Sequence, residues 1–173
     1  MICVLVSACL LGEKVRYDGA DAAPESTLLQ DWVREGRVVP LCPEVAGGLG
    51  VPRPPAEIVG IGGASVLDGT ARVIARTGQD VTEAFLRGAQ LALEAALAAD
   101  VGLAVLKENS PSCGSGFIYD GSFQRQRKTE PGVTTALLQR HGIPVFSDLA
   151  LSDASDYLQE LERDEIRPSR SHP

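Results

Sequence analysis

The chain has 173 residues, 44% of them hydrophobic, and a formal net charge of −7. That suits one domain with one core. An acidic chain without a long basic run argues against autonomous nucleic-acid binding, because phosphate neutralisation needs clustered Lys and Arg. No apolar run approaches a membrane span, and there is no basic leader with a small-residue cleavage site, so a cytoplasmic location is the expectation.

Taken in chain order, residues 2–7 read as a first strand from their β-branched content. Residues 25–36 carry Leu28, Leu29, Trp32 and Val33 at helical spacing, with Pro24 to start the helix and Gly36 to end it. A second strand is expected at 37–41. Residues 43–63 are dense in Pro and Gly and read as an ordered loop or lid. Ala64-Ser65-Val66-Leu67 and Ala71-Arg72-Val73-Ile74 flank Asp68-Gly69, which is a hairpin signal. Asp80 with Glu83 resembles a capping box opening a helix over 81–99. A third strand is expected at 101–106, a helix at 132–140, and a last strand at 143–146, where Pro144 points to a sheet edge. Residues 154–163 read as a terminal helix, and the stretch after Ile166 as a disordered tail. Alternating strands and helices imply an α/β, three-layer, Rossmann-like fold: a mostly parallel sheet with an added β-hairpin. One domain over 1–163 and a flexible tail over 164–173 are expected.

Three of the four cysteines follow strand-like runs: Cys9 after strand one, Cys42 after strand two, and Cys113 after strand three. In a parallel sheet the strand carboxyl ends share one edge, where ligands bind. Three distant thiols should therefore meet there, a soft donor set with no obvious fourth ligand. Two disulfides would fit a small secreted scaffold better than this chain. Cys3 lies mid-strand and reads as a small buried hydrophobe.

Other chemistries fit less well. Gly60-Ile61-Gly62-Gly63 lacks the strand and helix that a dinucleotide loop requires. His141 ends a helix and His172 lies in the tail, so neither suits a hydrolase triad or histidine-bound zinc. Arg125-Gln126-Arg127-Lys128 reads as a solvated loop. A lone nucleophilic Cys113 would leave Cys9 and Cys42 unexplained. Thiolate sulfur favours iron–sulfur clusters, zinc or Cu(I), and a cubane with three protein thiolates keeps one iron free to act as a Lewis acid. Polar residues crowd the same strand ends: Arg16, Tyr17 and Asp18 after Cys9, Glu44 after Cys42, and Lys107, Glu108, Asn109 and Ser110 before Cys113. Such a concentration points to chemistry.

Three blocks resemble those of a known family: Ser7-Ala8-Cys9-Leu10-Leu11-Gly12 with Val15-Arg16-Tyr17-Asp18-Gly19; Cys42-Pro43-Glu44-Val45-Ala46-Gly47-Gly48-Leu49 with Pro52-Arg53-Pro54-Pro55-Ala56-Glu57-Ile58; and Lys107-Glu108-Asn109-Ser110-Pro111-Ser112-Cys113-Gly114 with Ile118-Tyr119-Asp120-Gly121-Ser122-Phe123 and Gly132-Val133-Thr134. The family is the thiouracil desulfidases, and the resemblance covers residues 1–150. It implies a 4Fe–4S cluster on Cys9, Cys42 and Cys113 with one open iron, Glu44 as acid/base, and Ser110 assisting proton transfer or orienting substrate. A carboxylate suits that role if desolvation raises its pKa toward neutrality. Ser7, Arg16, Tyr17, Asp18, Lys107 and Ser112 are candidate pocket residues. The implied reaction is non-redox removal of sulfur from a small thiolated pyrimidine such as 2-thiouracil, giving uracil and hydrogen sulfide. The alternatives are a desulfidase of thionucleotides or thiolated tRNA, and a cluster-bearing sensor or sulfur carrier without turnover.

Overall fold

A computed structural model describes residues 1–166. Its centre is a four-stranded parallel sheet of β1 (Cys3–Ser7), β2 (Val38–Leu41), β5 (Val101–Leu106) and β8 (Val145–Ser147), in the order β2-β1-β5-β8. The two edges carry the prolines. Pro40 sits in β2, and Pro144 lies just before β8, its carbonyl accepting from Ala104 N at 2.8 Å. A residue without an N–H is tolerated at an edge, where one side of the ladder is unused.

Both sheet faces are covered, as the near-continuous apolar character of β1 and β5 requires. Val4, Val6, Leu103 and Val105 point to one side, into a core with Leu29 and Trp32 of α1 (Thr27–Arg34) and Ala154 and Leu158 of α6 (Leu151–Ile166). Leu5, Ala104 and Leu106 point to the other, against Ala92, Leu93 and Ala96 of α4 (Thr82–Ala98) and Leu138 of α5 (Val133–Arg140). Cys3 packs half-buried on this second face, as strand alternation predicts. Ser26 caps α1 through its hydroxyl, which accepts from Leu28 N at 3.2 Å.

Several expectations are corrected. The Pro/Gly-rich stretch over 43–63 is not one loop. It contains α2 (Pro43–Ala46) and β3 (Ala56–Val59). The added hairpin exists, but β4 (Arg72–Ala75) pairs antiparallel with β3, and residues 64–67 belong to α3 (Gly63–Leu67) instead. Asp68-Gly69 closes that helical turn, with Gly69 at φ 77°. Helix C-termini and hairpin turns both use a glycine at positive φ, so the dipeptide alone does not separate them. Asp80 accepts from Thr82 N at 2.9 Å, but the reciprocal bond from Glu83 that completes a capping box is absent among the described residues. The terminal helix is longer than expected at both ends. Residues 167–173, the site of the expected tail and of His172, lie outside the described residues.

Arg125-Gln126-Arg127-Lys128 is also more than a solvated loop. Arg127–Lys128 forms β7, paired with β6 (Ile118–Tyr119). The Lys128 Nζ donates to the carbonyls of Ile58, Gly60 and Asp120 at 3.0, 2.6 and 3.3 Å. His141 does end α5, with Nδ1 3.0 Å from the Leu137 carbonyl.

One close approach sets the site. Helix α2 lies directly on α4: a Cβ on Gly47 would run into the Ala84 carbonyl, and one on Gly88 into that of Pro43. Only glycine permits that backbone contact. It holds the segment that begins at Cys42 and carries Glu44 against the sheet edge.

Candidate functional site

Each candidate cysteine leaves its strand on a tight turn. After β1 the chain makes a single 3-10 turn over Ala8–Leu11, closed by Gly12 at φ 90°, and this turn holds Cys9. Cys42 is the residue between β2 and α2. After β5, Ser110 opens a turn in which its hydroxyl accepts from the backbone N–H groups of Ser112 and Cys113 at 3.1 and 3.0 Å. Cys9, Cys42 and Cys113 all line one open cavity of about 460 Å³ at the carboxyl ends of the parallel strands.

The thiols are poorly suited to ionise alone. Burial pushes Cys9 up to about 11, with Cys42 adding repulsion and Lys107 and Arg16 opposing it. Burial also raises Cys42 and, more strongly, Cys113, although the Ser7 hydroxyl donates to the Cys113 sulfur at 3.6 Å. Three clustered, desolvated thiols become thiolates together only when a cationic group joins them. Among the described residues, no three His, Cys, Asp or Glu side chains converge on a single metal ion. Three thiolates are the kind of donor that an iron–sulfur cluster would use, each on a separate iron.

Two residues beyond Cys42, Glu44 Oε2 is held by Arg53, with Nη2 at 2.6 Å and Nε at 2.7 Å. Both side chains are largely buried, 14% and 9% exposed, so water does little to screen the pair. Arg53 also donates to the carbonyls of Val15 and Gly50, each at 3.1 Å. Ser110 Oγ lies 3.5 Å from Glu44 Oε1.

The remaining candidates divide. Ser7, Arg16, Tyr17 and Lys107 line the cavity. Lys107 is anchored by Asp148 at 2.9 Å. Asp18 is not among the lining residues: its carboxylate accepts from Ala20 N and lies 3.7 Å from Arg16, shaping the turn behind the site. Ser112 does not line it either. It is buried and hydrogen-bonded to Thr134 Oγ1 at 2.7 Å, because the turn that exposes Cys113 directs its neighbour into the core.

Sequence reasoning assigns no role to Arg53, Glu57, Arg76, Tyr119, Phe123 and Arg125, all of which line the cavity. Arg53 carries a signal, a lone cation amid prolines nine positions after Glu44. Arg76, just after β4, carries none, and Phe123, in the turn between β6 and β7, is marked only by lying inside a resembling block. Glu108 proves to be an organiser. Its buried carboxylate accepts from the N–H groups of Asn109, Ser115, Gly116 and Phe117 at 3.0–3.3 Å, bracing the turn that bears Ser110 and Cys113.

The 2-thiouracil desulfurase family model matches residues 4–149. The chain belongs to that family. Two similar proteins span nearly its whole length. The uncharacterized protein YbbK of Bacillus subtilis is 47% identical over 150 residues, covering 87% of this chain and 98% of YbbK. The solved structure of the [4Fe-4S]-dependent thiouracil desulfidase TudS is 48% identical with a TM-score of 0.85, covering 92% of this chain and 99% of that one. The chain is thus an enzyme of the thiouracil desulfidase kind on a Rossmann-like α/β fold. Among its described residues, no helix is long and apolar enough to cross a membrane.

Proposed function

We propose that the chain removes sulfur from a thiolated pyrimidine such as 2-thiouracil, with a 4Fe–4S cluster held by Cys9, Cys42 and Cys113. The carrying observation is that three thiols from three strand ends share one cavity with the Glu44–Ser110 pair. Such a cluster, with one iron lacking a protein ligand, supplies a soft Lewis acid for a thiocarbonyl sulfur.

The chain's own groups do the rest. Glu44 takes a proton from water, and the oxygen adds to the thiocarbonyl carbon as the carbon–sulfur bond breaks. A thiocarbonyl and one water become a carbonyl and hydrogen sulfide, with no change of oxidation state. Arg53 fixes the carboxylate so that Oε1 faces Ser110 while Oε2 stays paired. Ser110 accepts two backbone N–H bonds, which leaves its own proton to donate toward Glu44 or the substrate. Lys107 and Arg16 place positive charge beside the thiols, which favours the thiolate donor set.

A second reading, a thionucleotide, draws support from the exposed guanidinium groups of Arg76 and Arg125 on the same cavity. Two arginines at the mouth suit a phosphate better than a bare base does. Anaerobic turnover assays with 2-thiouracil and 4-thiouridine monophosphate separate the readings. Stoichiometric uracil and sulfide from the base would support the first, and strong preference for the nucleotide the second. Release of a single sulfide equivalent without turnover would contradict both and favour a carrier.

A further inference from the structure

The turn between β6 and β7 closes one side of the cavity, and a buried carboxylate holds it. Glu57, 7% exposed in β3, directs Oε2 at the N–H groups of Gly121 and Phe123, at 2.8 and 3.0 Å. Lys128 Nζ ties the Asp120 carbonyl to those of Ile58 and Gly60. Arg76 Nη2 lies 3.5 Å from the Phe123 carbonyl, and its guanidinium carbon 5.8 Å from the ring centroid. Gly121 lies against Ile58 so closely that a Cβ would meet its carbonyl.

The backbone of this turn is in an uncommon state. Phe123 has φ 58° and Arg125 φ 60°, in the left-handed region that bulky residues rarely adopt. Such conformations persist where the surroundings over-determine them, typically at ligand sites. Phe123 does not use this geometry to enter a hydrophobic core. It stays half-buried and lines the cavity that contains the three thiols.

We infer that residues 120–126 are a rigid ring-recognition strap, with Phe123 as the stacking residue and Glu57 as the positioning residue that anchors it. The inference rests on the desulfidase reading and names the residues that select its planar ring against aliphatic thioamides. A ring stacked on Phe123 lies in the cavity that the three thiols line. Glu57 touches no reacting atom; it acts through the two amides it holds.

Two measurements on the cluster-loaded protein, kept anaerobic, test this. In steady-state kinetics, Phe123→Ala raises KM for 2-thiouracil about tenfold and lowers the preference for 2-thiouracil over thioacetamide by a like factor, while Phe123→Trp restores both. In amide hydrogen exchange, Glu57→Gln speeds exchange at Gly121 and Phe123 about tenfold, because a neutral acceptor holds an N–H less tightly than a carboxylate. Unchanged KM and preference in Phe123→Ala would overturn ring recognition while leaving the desulfidase reading intact. Unchanged exchange in Glu57→Gln would overturn the anchor. Loaded wild-type protein that ignores 2-thiouracil would overturn the desulfidase reading and ring recognition together, with the exchange result still deciding the anchor.

Discussion

The cavity has two walls of different construction. The wall at the ends of β1, β2 and β5 carries the thiols, Glu44 and Ser110, and each residue there lies within a few positions of a strand of the parallel sheet. The facing wall is built from β3, β4 and the β6–β7 turn, and it carries Glu57, Arg76, Tyr119, Phe123 and Arg125. The first wall sits on the rigid central core. The second hangs on short antiparallel pairs and on side-chain struts to backbone: Glu57 to two amides, and Lys128 to three carbonyls. On the proposed function, the division would place reaction chemistry on the ends of the central sheet and substrate choice on the elements added to it.

If the division holds, breaking the first wall abolishes chemistry. Serine at Cys9, Cys42 or Cys113 is expected to leave iron content near background after anaerobic reconstitution and to eliminate turnover. Cys3→Ser, at the start of β1 and away from the cavity, retains both. Iron loss in Cys3→Ser would place a ligand outside the cavity. Next in size, Glu44→Gln keeps its iron and loses about 10²- to 10⁴-fold in kcat, the usual range for a removed proton-transfer group. Full activity in that variant, measured by uracil release, would remove Glu44 from the mechanism.

Arg53→Met leaves the Glu44 carboxylate without its partner in a poorly solvated place. A loss of about 3 kcal/mol in urea unfolding is expected, at the lower end for a broken buried pair. A loss no larger than that of an exposed pair would mean that water reaches Glu44 freely. The smallest effect concerns Glu108. Burial pulls its carboxyl up, but the N–H and hydroxyl donors around it win and hold it below its ordinary value of 4.5. Its stabilisation is therefore present above the unfolded-state pKa and is lost as pH falls through that value and below. Glu108→Gln should flatten the acid side of the stability curve, read by thermal melts between about pH 3 and 6. An unaltered acid limb would mean that the carboxylate charge contributes nothing to bracing the Cys113 turn.

The catalytic wall is also the part of the molecule that is legible in the sequence. Cys9, Cys42 and Cys113 each follow an apolar β-branched run, and parallel strands deliver their ends to one edge. Cys3 is set apart by its place at the start of β1, the end away from the cavity. On the facing wall Glu57, Tyr119 and Phe123 fall inside the resembling blocks, but no strand pattern marks their place. Ala56-Glu57-Ile58-Val59 is four residues long and embedded among prolines and glycines, so its strand character is masked. Its partner is easily mistaken because Asp68-Gly69 serves a helix end as well as a hairpin. Lys128 looks like one of three solvated cations, and only tertiary structure supplies the three carbonyls it holds. Asp18 and Ser112 do not line the cavity for local reasons: Asp18 accepts from Ala20 N within its own turn, and Ser112 is buried against Thr134.

The central claim is that the three thiols hold a cluster that performs desulfuration. Iron and acid-labile sulfide counted on anaerobically reconstituted wild-type protein, followed by 2-thiouracil turnover on the same sample, test it most directly. The account predicts about four irons and four sulfides per chain, with uracil and sulfide released over many turnovers. Absence of iron after reconstitution, or turnover undiminished after the metal is stripped, would contradict it.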